Sequence, residues 1–233
     1  MSAAHEFAFY TQEVESVRTL KGRTDFALAD KELVRRLVSV IRIKSGDTLI
    51  LFNEKFHVRC NVLFAAKSEV KLLILETHPN KPLTPHIYWL LPLLEKSAFE
   101  TAVSVLTVLG ATAIIPVVCQ KVHRSKLTDK DRDRLHRLMI AASEQSKQFV
   151  FPHIESTIHF SDLETILTHY KNASRILFAL DGSPSRELAN TLEANPPGEV
   201  IAMIGPEGDL NDAEYNTLYH EGFEGFALTP SVL

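Results

Sequence analysis

Val200-Ile201-Ala202-Met203-Ile204-Gly205-Pro206-Glu207-Gly208, with Asn211 and Glu214 just beyond, is the stretch on which the reading of this chain turns. Its first five residues form a continuous apolar run ended by turn residues, the pattern of a strand buried in a parallel sheet. Gly205 and Gly208 then flank a Pro-Glu pair, and glycine lets the backbone turn sharply or a ligand approach it closely. Asn211 followed three residues later by Glu214 has the spacing of a helix N-cap with its reciprocal partner. Strand end, glycine loop and helix start together make the usual ligand-binding edge of an open α/β sheet. On spacing alone, an ordinary strand-to-helix turn has the same signature.

The chain divides around residues 76–86. Before that point the sequence is β-rich. Asp30 can cap a short helix through Ser39, and Ser45-Gly46-Asp47 marks a turn between strand-like Val40–Ile43 and Thr48–Phe52. Phe56–Phe64 and Val70–Glu76 are further strand candidates, and this set suggests a small barrel over residues 1–76. Pro79, Pro82 and Pro85 make residues 77–86 a stiff linker. In residues 87–233 strands and helices alternate: strand 87–91, helix 95–109 ending at Gly110, strand 113–118 and a helix from Thr128 to about Gln145. A helix from Ser161 with Glu164 to about Tyr170, strand 176–180, helix 184–194, strand 200–204, a helix from Asn211 to Gly222 and a short strand 226–228 follow. Alternation of this kind implies a mostly parallel sheet covered on both faces, so the fold class is α/β.

Composition narrows the function classes. A net charge of −4, with 45% apolar and 23% charged residues among 233, is that of a globular protein and not of a basic nucleic-acid-binding domain. Cations are nevertheless clustered, at Arg35, Arg36, Arg42 and Lys44 and again at Lys121, His123, Arg124 and Lys126, and a local patch can bind phosphates whatever the whole-chain charge. Each cluster also reads as a solvated face. No apolar run approaches the roughly 20 residues of a membrane span, and the N-terminus has no secretory pattern. Cys60 and Cys119 lie in apolar segments and read as buried thiols, which fits a cytoplasmic protein. The sequence has no G-x-G-x-x-G, P-loop or G-x-S-x-G, and no His or Cys spacing for a metal.

Ile204-Gly205-Pro206-Glu207-Gly208, Glu214, Gly222-Phe223 and Leu228-Thr229-Pro230-Ser231-Val232-Leu233 resemble the RsmE family. These are small-subunit ribosomal RNA uridine-N3 methyltransferases of the SPOUT class. Val40-Ile41-Arg42 with Gly46-Asp47, Leu109-Gly110, and Ala141-Ala142-Ser143-Glu144-Gln145 followed by Pro152 look like the family's other motifs in order. The resemblance implies a PUA-like RNA-binding β-barrel domain followed by a SPOUT α/β domain with a C-terminal trefoil knot, a rare exception to the rule against threaded chains. It also implies a homodimer, S-adenosylmethionine as methyl donor without any metal, and ribosomal RNA as substrate. Carried onto this chain, cofactor-binding positions are Leu180, Asp181, Ile204, Gly205, Pro206, Glu207, Gly208, Leu228, Pro230, Val232 and Leu233. RNA-binding positions are Arg36, Arg42, Lys44, Arg124 and Lys147. No general base is specified by these motifs; Glu207 fits a loop-holding role as well as a proton-accepting one.

The chain departs from the family in several places. The usual Lys and Glu of the helix before Leu109-Gly110 are Val105 and Val108. The usual Arg-Asn-Arg-Val-Pro is Gln148-Phe149-Val150-Phe151-Pro152, an arginine is missing before Phe7-Ala8-Phe9-Tyr10, and Leu-Gly-x-Arg is Leu228-Thr229-Pro230-Ser231. Each change removes a charge or a glycine, which should weaken phosphate contacts. The family continues past the position of Leu233, so the natural chain is expected to extend further. A non-catalytic RNA-binding relative and a SPOUT methyltransferase acting on a different RNA are the alternatives.

Overall fold

A computed structural model describes residues 6–19 and 24–228. They fall into two compact units, Met1–Lys81 with Ile140–Phe151, and Pro82–Met139 with Pro152–Leu233.

The first unit holds strand β1 (Phe7–Tyr10), helix α1 (Val14–Val17), strand β2 (Asp25–Ala27), helix α2 (Lys31–Arg35) and strands β3 (Thr48–Phe52), β4 (Phe56–Ala66) and β5 (Glu69–Pro79). They form a mixed five-stranded sheet in the order β1-β3-β4-β5-β2, in which β1 and β3 run parallel and the other pairs antiparallel. Asp30 caps α2, accepting from the amides of Glu32 and Leu33 at 3.0 Å each. The strand expected over 40–43 is absent. Arg36–Ile41 continues from α2 as a π-helical turn, closed by Arg42 at φ +61°, because this winding sends Leu37, Ile41 and Ile43 into the core and leaves Val40 outside. β5 runs on through Pro79, three residues into the segment read as linker, where the register of Phe56 opposite Pro79 ends the pairing.

Residues 140–151 pack with this unit, although the sequence reading groups them with the second domain. Phe149 lies against Phe52 at 4.5 Å between ring centroids, and Phe151 lies 5.8 Å from Tyr10. Glu144 accepts a bidentate pair from Arg36 at 2.9 and 2.6 Å and a third bond from the Tyr10 amide at 3.2 Å. That hydrogen bonding raises the Arg36 guanidinium above its ordinary value. Glu144→Ala leaves the Tyr10 amide and the Arg36 head unpartnered. We expect a loss of about 1–2 kcal/mol in chemical denaturation, discounted for the half-exposed arginine; an unchanged denaturation midpoint would show that solvent replaces these bonds at no cost.

The second unit follows with strand β6 (His86–Pro92), helix α3 (Lys96–Val108), strand β7 (Ala113–Val118) and helix α4 (Asp129–Ser146), whose last residues belong to the first unit. Then come strands β8 (His153–Ile154) and β9 (Ile158–His159), helix α5 (Leu163–Leu167), strand β10 (Ser174–Pro184), helix α6 (Ser185–Ala194), strand β11 (Glu199–Ile204), helix α7 (Asp212–His220) and strand β12 (Glu224–Ala227). The sheet order is β12-β10-β11-β6-β7-β8, with β9 also on β7, and every pair is parallel. Leu90, Ile114, Val117, Leu177, Ile201 and Met203 are buried at 0% exposure, as near-continuous apolar strands of a parallel sheet require. Gly110 ends the turn after α3 at φ +77°, and Thr128 and Asp131 exchange backbone-to-side-chain bonds at the start of α4, both as the sequence predicts. The single helix expected over 161–170 is broken into 3₁₀, α and 3₁₀ turns, and Ser161 bonds Asp162 instead of closing a box with Glu164. Cys60 and Cys119 are free and buried, with both thiols pushed up to about 12 by burial.

Candidate active site

In a parallel sheet all strands deliver their following loops to one edge, and ligands bind outside the carboxyl ends of the strands. β10 lies between β12 and β11, with Phe178 opposite both Ile204 and Phe226. This register places Leu180 and residue 181, the Ile204–Gly208 loop and Leu228 at the same edge. Leu180, Ile204 and Leu228 are 63%, 38% and 56% exposed, an apolar rim that the core does not absorb. Pro230, Val232 and Leu233 lie outside the described residues.

The glycine loop is held from beneath. Asn211 sits in extended backbone and accepts from the Glu214 amide at 2.9 Å, while Glu214 Oε2 accepts from the Asn211 amide at 3.0 Å, completing the box read from the sequence. The other carboxylate oxygen accepts from the Gln120 amide at 2.8 Å, just past β7. The Asn211 side-chain amide donates to Gln120 Oε1 at 2.6 Å. Lys121 Nζ donates to the carbonyls of Gly208 at 2.8 Å and Leu210 at 3.3 Å. Asp209, at φ +60°, accepts on Oδ1 from the Leu210 amide and from the Tyr215 hydroxyl at 2.8 and 2.7 Å. Burial, with the Glu214 charge adding, raises the neighbouring Cys119 thiol.

The two loop glycines differ in what they tolerate. A Cβ on Gly205 would lie 3.0 Å from Asp209 Oδ1 and 3.4 Å from the Leu210 amide, in a space whose nearest atom is already bonded. A Cβ on Gly208 would touch only the Lys121 stem at 3.5 Å, which is ordinary contact. Gly205 is therefore the position whose missing side chain shapes the loop. Glu207 is exposed at its tip. Among the described residues no group of three or more His, Cys, Asp and Glu could hold a metal.

Of the basic residues singled out from sequence, Lys121 holds the glycine loop, and the five RNA-binding candidates are divided between the two units. Arg36, Arg42, Lys44 and Lys147 belong to the first unit, where Arg36 is occupied with Glu144. Arg42 and Lys147 occupy left-handed backbone, and both are exposed, as is Lys44. Arg124 is in the second unit and donates to Asp131 at 3.1 Å. Gln120, Lys121, Asp209 and Tyr215 hold the loop yet carry no sequence signal of that role, because the contacts from Gln120 and Lys121 join residues some ninety positions apart. Glu214→Ala strips two part-buried amides, those of Asn211 and Gln120, of their acceptor. The second unit should lose about 2 kcal/mol, and Glu214→Gln, which keeps one acceptor, markedly less; equal denaturation midpoints for the two variants would contradict this account of the loop.

Residues 80–233 match the family model of the RNA methyltransferase domain. A ribosomal RNA small subunit methyltransferase E from Synechocystis is 25% identical over 199 residues, covering 84% of this chain and 64% of its own length. The protein of that name from Mesomycoplasma hyopneumoniae is 23% identical, covering 84% of this chain and 83% of its own. The chain thus spans a little under two thirds of the Synechocystis relative. Among solved structures, ribosomal RNA small subunit methyltransferase E from Neisseria gonorrhoeae bound to S-adenosyl methionine aligns with a TM-score of 0.75 at 20% identity, over 98% of this chain and 91% of that one. A putative methyltransferase from Legionella pneumophila in complex with the bound cofactor SAM gives 0.70 at 19% identity, over 99% and 92%. These likenesses confirm the α/β fold with one mixed and one parallel sheet. Since the matched domain takes in the greater part of the sequence and holds the whole glycine-loop edge, the chain belongs to the RNA methyltransferase family.

Proposed function

We propose that this protein transfers a methyl group from S-adenosylmethionine to N3 of a uridine in small-subunit ribosomal RNA. The observation that carries the reading is the Gly205 loop: a tight bend at the strand edge in which a Cβ would crowd Asp209 and Leu210, braced from below and rimmed by exposed apolar side chains. Family membership and the names of the relatives supply the chemistry and the substrate.

The residues present fit the cofactor. Residues 204–208 would offer main-chain donors and acceptors to its polar groups, and Leu180, Ile204 and Leu228 would cover the adenine faces, joined by Pro230, Val232 and Leu233 and by residue 181. S-adenosylmethionine, when bound, supplies an activated methyl on a positively charged sulfur, so the hard chemistry belongs to the cofactor. The chain's task is orientation: Lys121, Asp209 and Glu214 fix the loop so that the reacting atoms meet in line. We assign no general base, and Glu207 holds a position at the exposed tip.

The finer architecture belongs to the same proposal. We read the first unit as a PUA-like barrel that engages RNA through Arg42, Lys44 and Lys147. Arg124 is a further RNA-binding position in the second unit, and Arg36 acts chiefly by fixing Glu144. We read the second unit as a SPOUT domain with a knotted tail. Support for the knot is the double pairing of Phe226, opposite both Phe178 and Ser183, and the close crossing of residue 182, where a Cβ would come within 2.6 Å of the Gly225 carbonyl carbon. Val105 and Val108 of α3 and Leu109 just after it are 50%, 46% and 64% exposed beside an apolar groove of about 600 Å³ reaching Ile204, a surface suited to a second copy of the chain. Light scattering should read a dimer mass that Val105→Glu reduces to a monomer; a monomeric unaltered protein would refute this part. We place the protein in the cytoplasm. No helix among the described residues is long and apolar enough to cross a membrane.

Gln148 and Val150 favour a second reading in which the target is a different RNA. They stand where the resemblance expects arginines, and Phe149 and Phe151 beside them pack on Phe52 and Tyr10. One mass-spectrometric map of ribosomal RNA from a deletion strain separates the two. Loss of a single N3-methyluridine in the small subunit supports the first reading, and an unchanged map removes it. Gly205→Val should abolish calorimetric binding of S-adenosylmethionine while the protein stays folded; near-normal affinity would mean that the loop is not the cofactor seat.

A further inference from the structure

Outside the glycine-loop edge, four cations of the second unit line a groove of about 570 Å³ between α3 and α4. Its lining is Glu95, Lys96, Ser97 and Glu100 at the start of α3, and Lys130, Arg134 and Arg137 on α4. The carboxylates there are already engaged. Glu95 accepts from the Ser97 amide and hydroxyl at 2.9 Å each, capping α3. Glu100 holds Arg134 at 2.5 Å, and Asp131 holds Lys96 at 3.3 Å and Arg124 at 3.1 Å. Bonds to Ser97 hold the Glu95 carboxyl below the usual range, the bond from Arg134 does so for Glu100, and bonds from Thr128 first of all bring Asp131 to about 2. Asp129 and Asp133 share the helix turns but do not line the groove.

This leaves Lys130 and Arg137 without a carboxylate partner among the described residues; Arg137 donates only to the Asp133 carbonyl at 3.3 Å. Lys130, Arg134 and Arg137 fall at i, i+4 and i+7, so they share one face of α4 and extend about 10 Å along it at a rise of about 1.5 Å per residue. That length suits two neighbouring phosphates of one strand, and guanidinium forks take phosphate oxygens in pairs. Ser97 lines both this groove and the apolar one that reaches Ile204, so the charged track borders the surface read above as the seat of a second copy.

We propose that the α3–α4 groove binds the phosphate backbone of the RNA substrate, with Lys130 and Arg137 as its principal contacts, beside the nucleotide delivered to the Gly205 loop. The choice of RNA rests on the function proposed above; the groove's lining shares no residue with the RNA-binding positions named from sequence or with the cofactor seat, and Arg124 adjoins it only through Asp131. Its contacts are to phosphate, so they add affinity and register without reading sequence.

The test measures fluorescence anisotropy of a labelled single-stranded RNA over a salt series, with calorimetric titration of S-adenosylmethionine on the same protein. Lys130→Gln with Arg137→Gln should weaken RNA binding roughly tenfold at about 0.1 M salt and lower the salt slope by about 1.4, at about 0.7 per lost contact on a single strand. Glu100→Gln, which frees Arg134, should instead tighten RNA binding severalfold. Cofactor affinity should stay unchanged in both variants, and Lys171→Gln, an exposed lysine outside the groove, should leave RNA affinity within about twofold. RNA affinity and slope equal to those of the unaltered protein in the double variant would overturn the proposal, as would a Glu100→Gln variant that binds RNA no better. If the unaltered protein binds no S-adenosylmethionine yet the double variant still loses RNA affinity, the methyl-transfer reading fails and the groove stands.

Discussion

The buried carboxylate of Glu214 is the interaction on which the rest of the candidate site depends. At 6% exposure it accepts from the amides of Asn211 and Gln120, and so ties the start of α7 to the exit of β7. A carboxylate in the first turn also meets the positive end of the helix, which favours its charged form. Between these two anchors the loop from Gly205 to Leu210 has little freedom. Lys121 holds two of its carbonyls and Asp209 turns it through a left-handed residue braced by Tyr215. Rigidity of this kind suits catalysis by positioning, because a loop already in its bound form loses little entropy when the ligand arrives.

The sheet explains why that loop has neighbours. Parallel strands put all their carboxyl ends on one side, and β10 sits between β12 and β11. Segments far apart in sequence, around 180, 204 and 228, therefore meet at one edge with apolar side chains turned outward. The same topology delivers α3 to that edge, so the exposed Val105 and Leu109, the apolar groove to Ile204 and the cationic groove around Lys130 occupy successive stretches of one surface.

The sequence made the parallel sheet legible because a buried strand needs a continuous apolar run, and Val200–Ile204 has no other plausible use. The cap at Asn211 and Glu214 was equally legible, since both halves of its chemistry lie within four residues. What escaped the sequence is non-local. Nothing near Lys121 announces that its amine reaches Gly208, and nothing near Arg36 announces that Glu144 claims its guanidinium. Local pattern also misled at 40–43, where Val40 and Ile41 finish a π-turn and Arg42 closes it in left-handed backbone, because the core lies on the helical face of Leu37 and Ile41. Of the paired glycines the sequence treated alike, only Gly205 is demanded by space. Where the family's arginines are missing, at Gln148 and Val150, the neighbouring Phe149 and Phe151 place rings in the core of the first unit, a packing gain invisible to a charge count.

Backbone amide shifts, followed by nuclear magnetic resonance during titration with S-adenosylmethionine, test the central claim most directly. The account predicts that the largest changes fall on Gly205, Glu207, Gly208, Leu180 and Leu228, with little effect on the strands of the first unit. Changes confined to the first unit, or none at saturating cofactor, would contradict it.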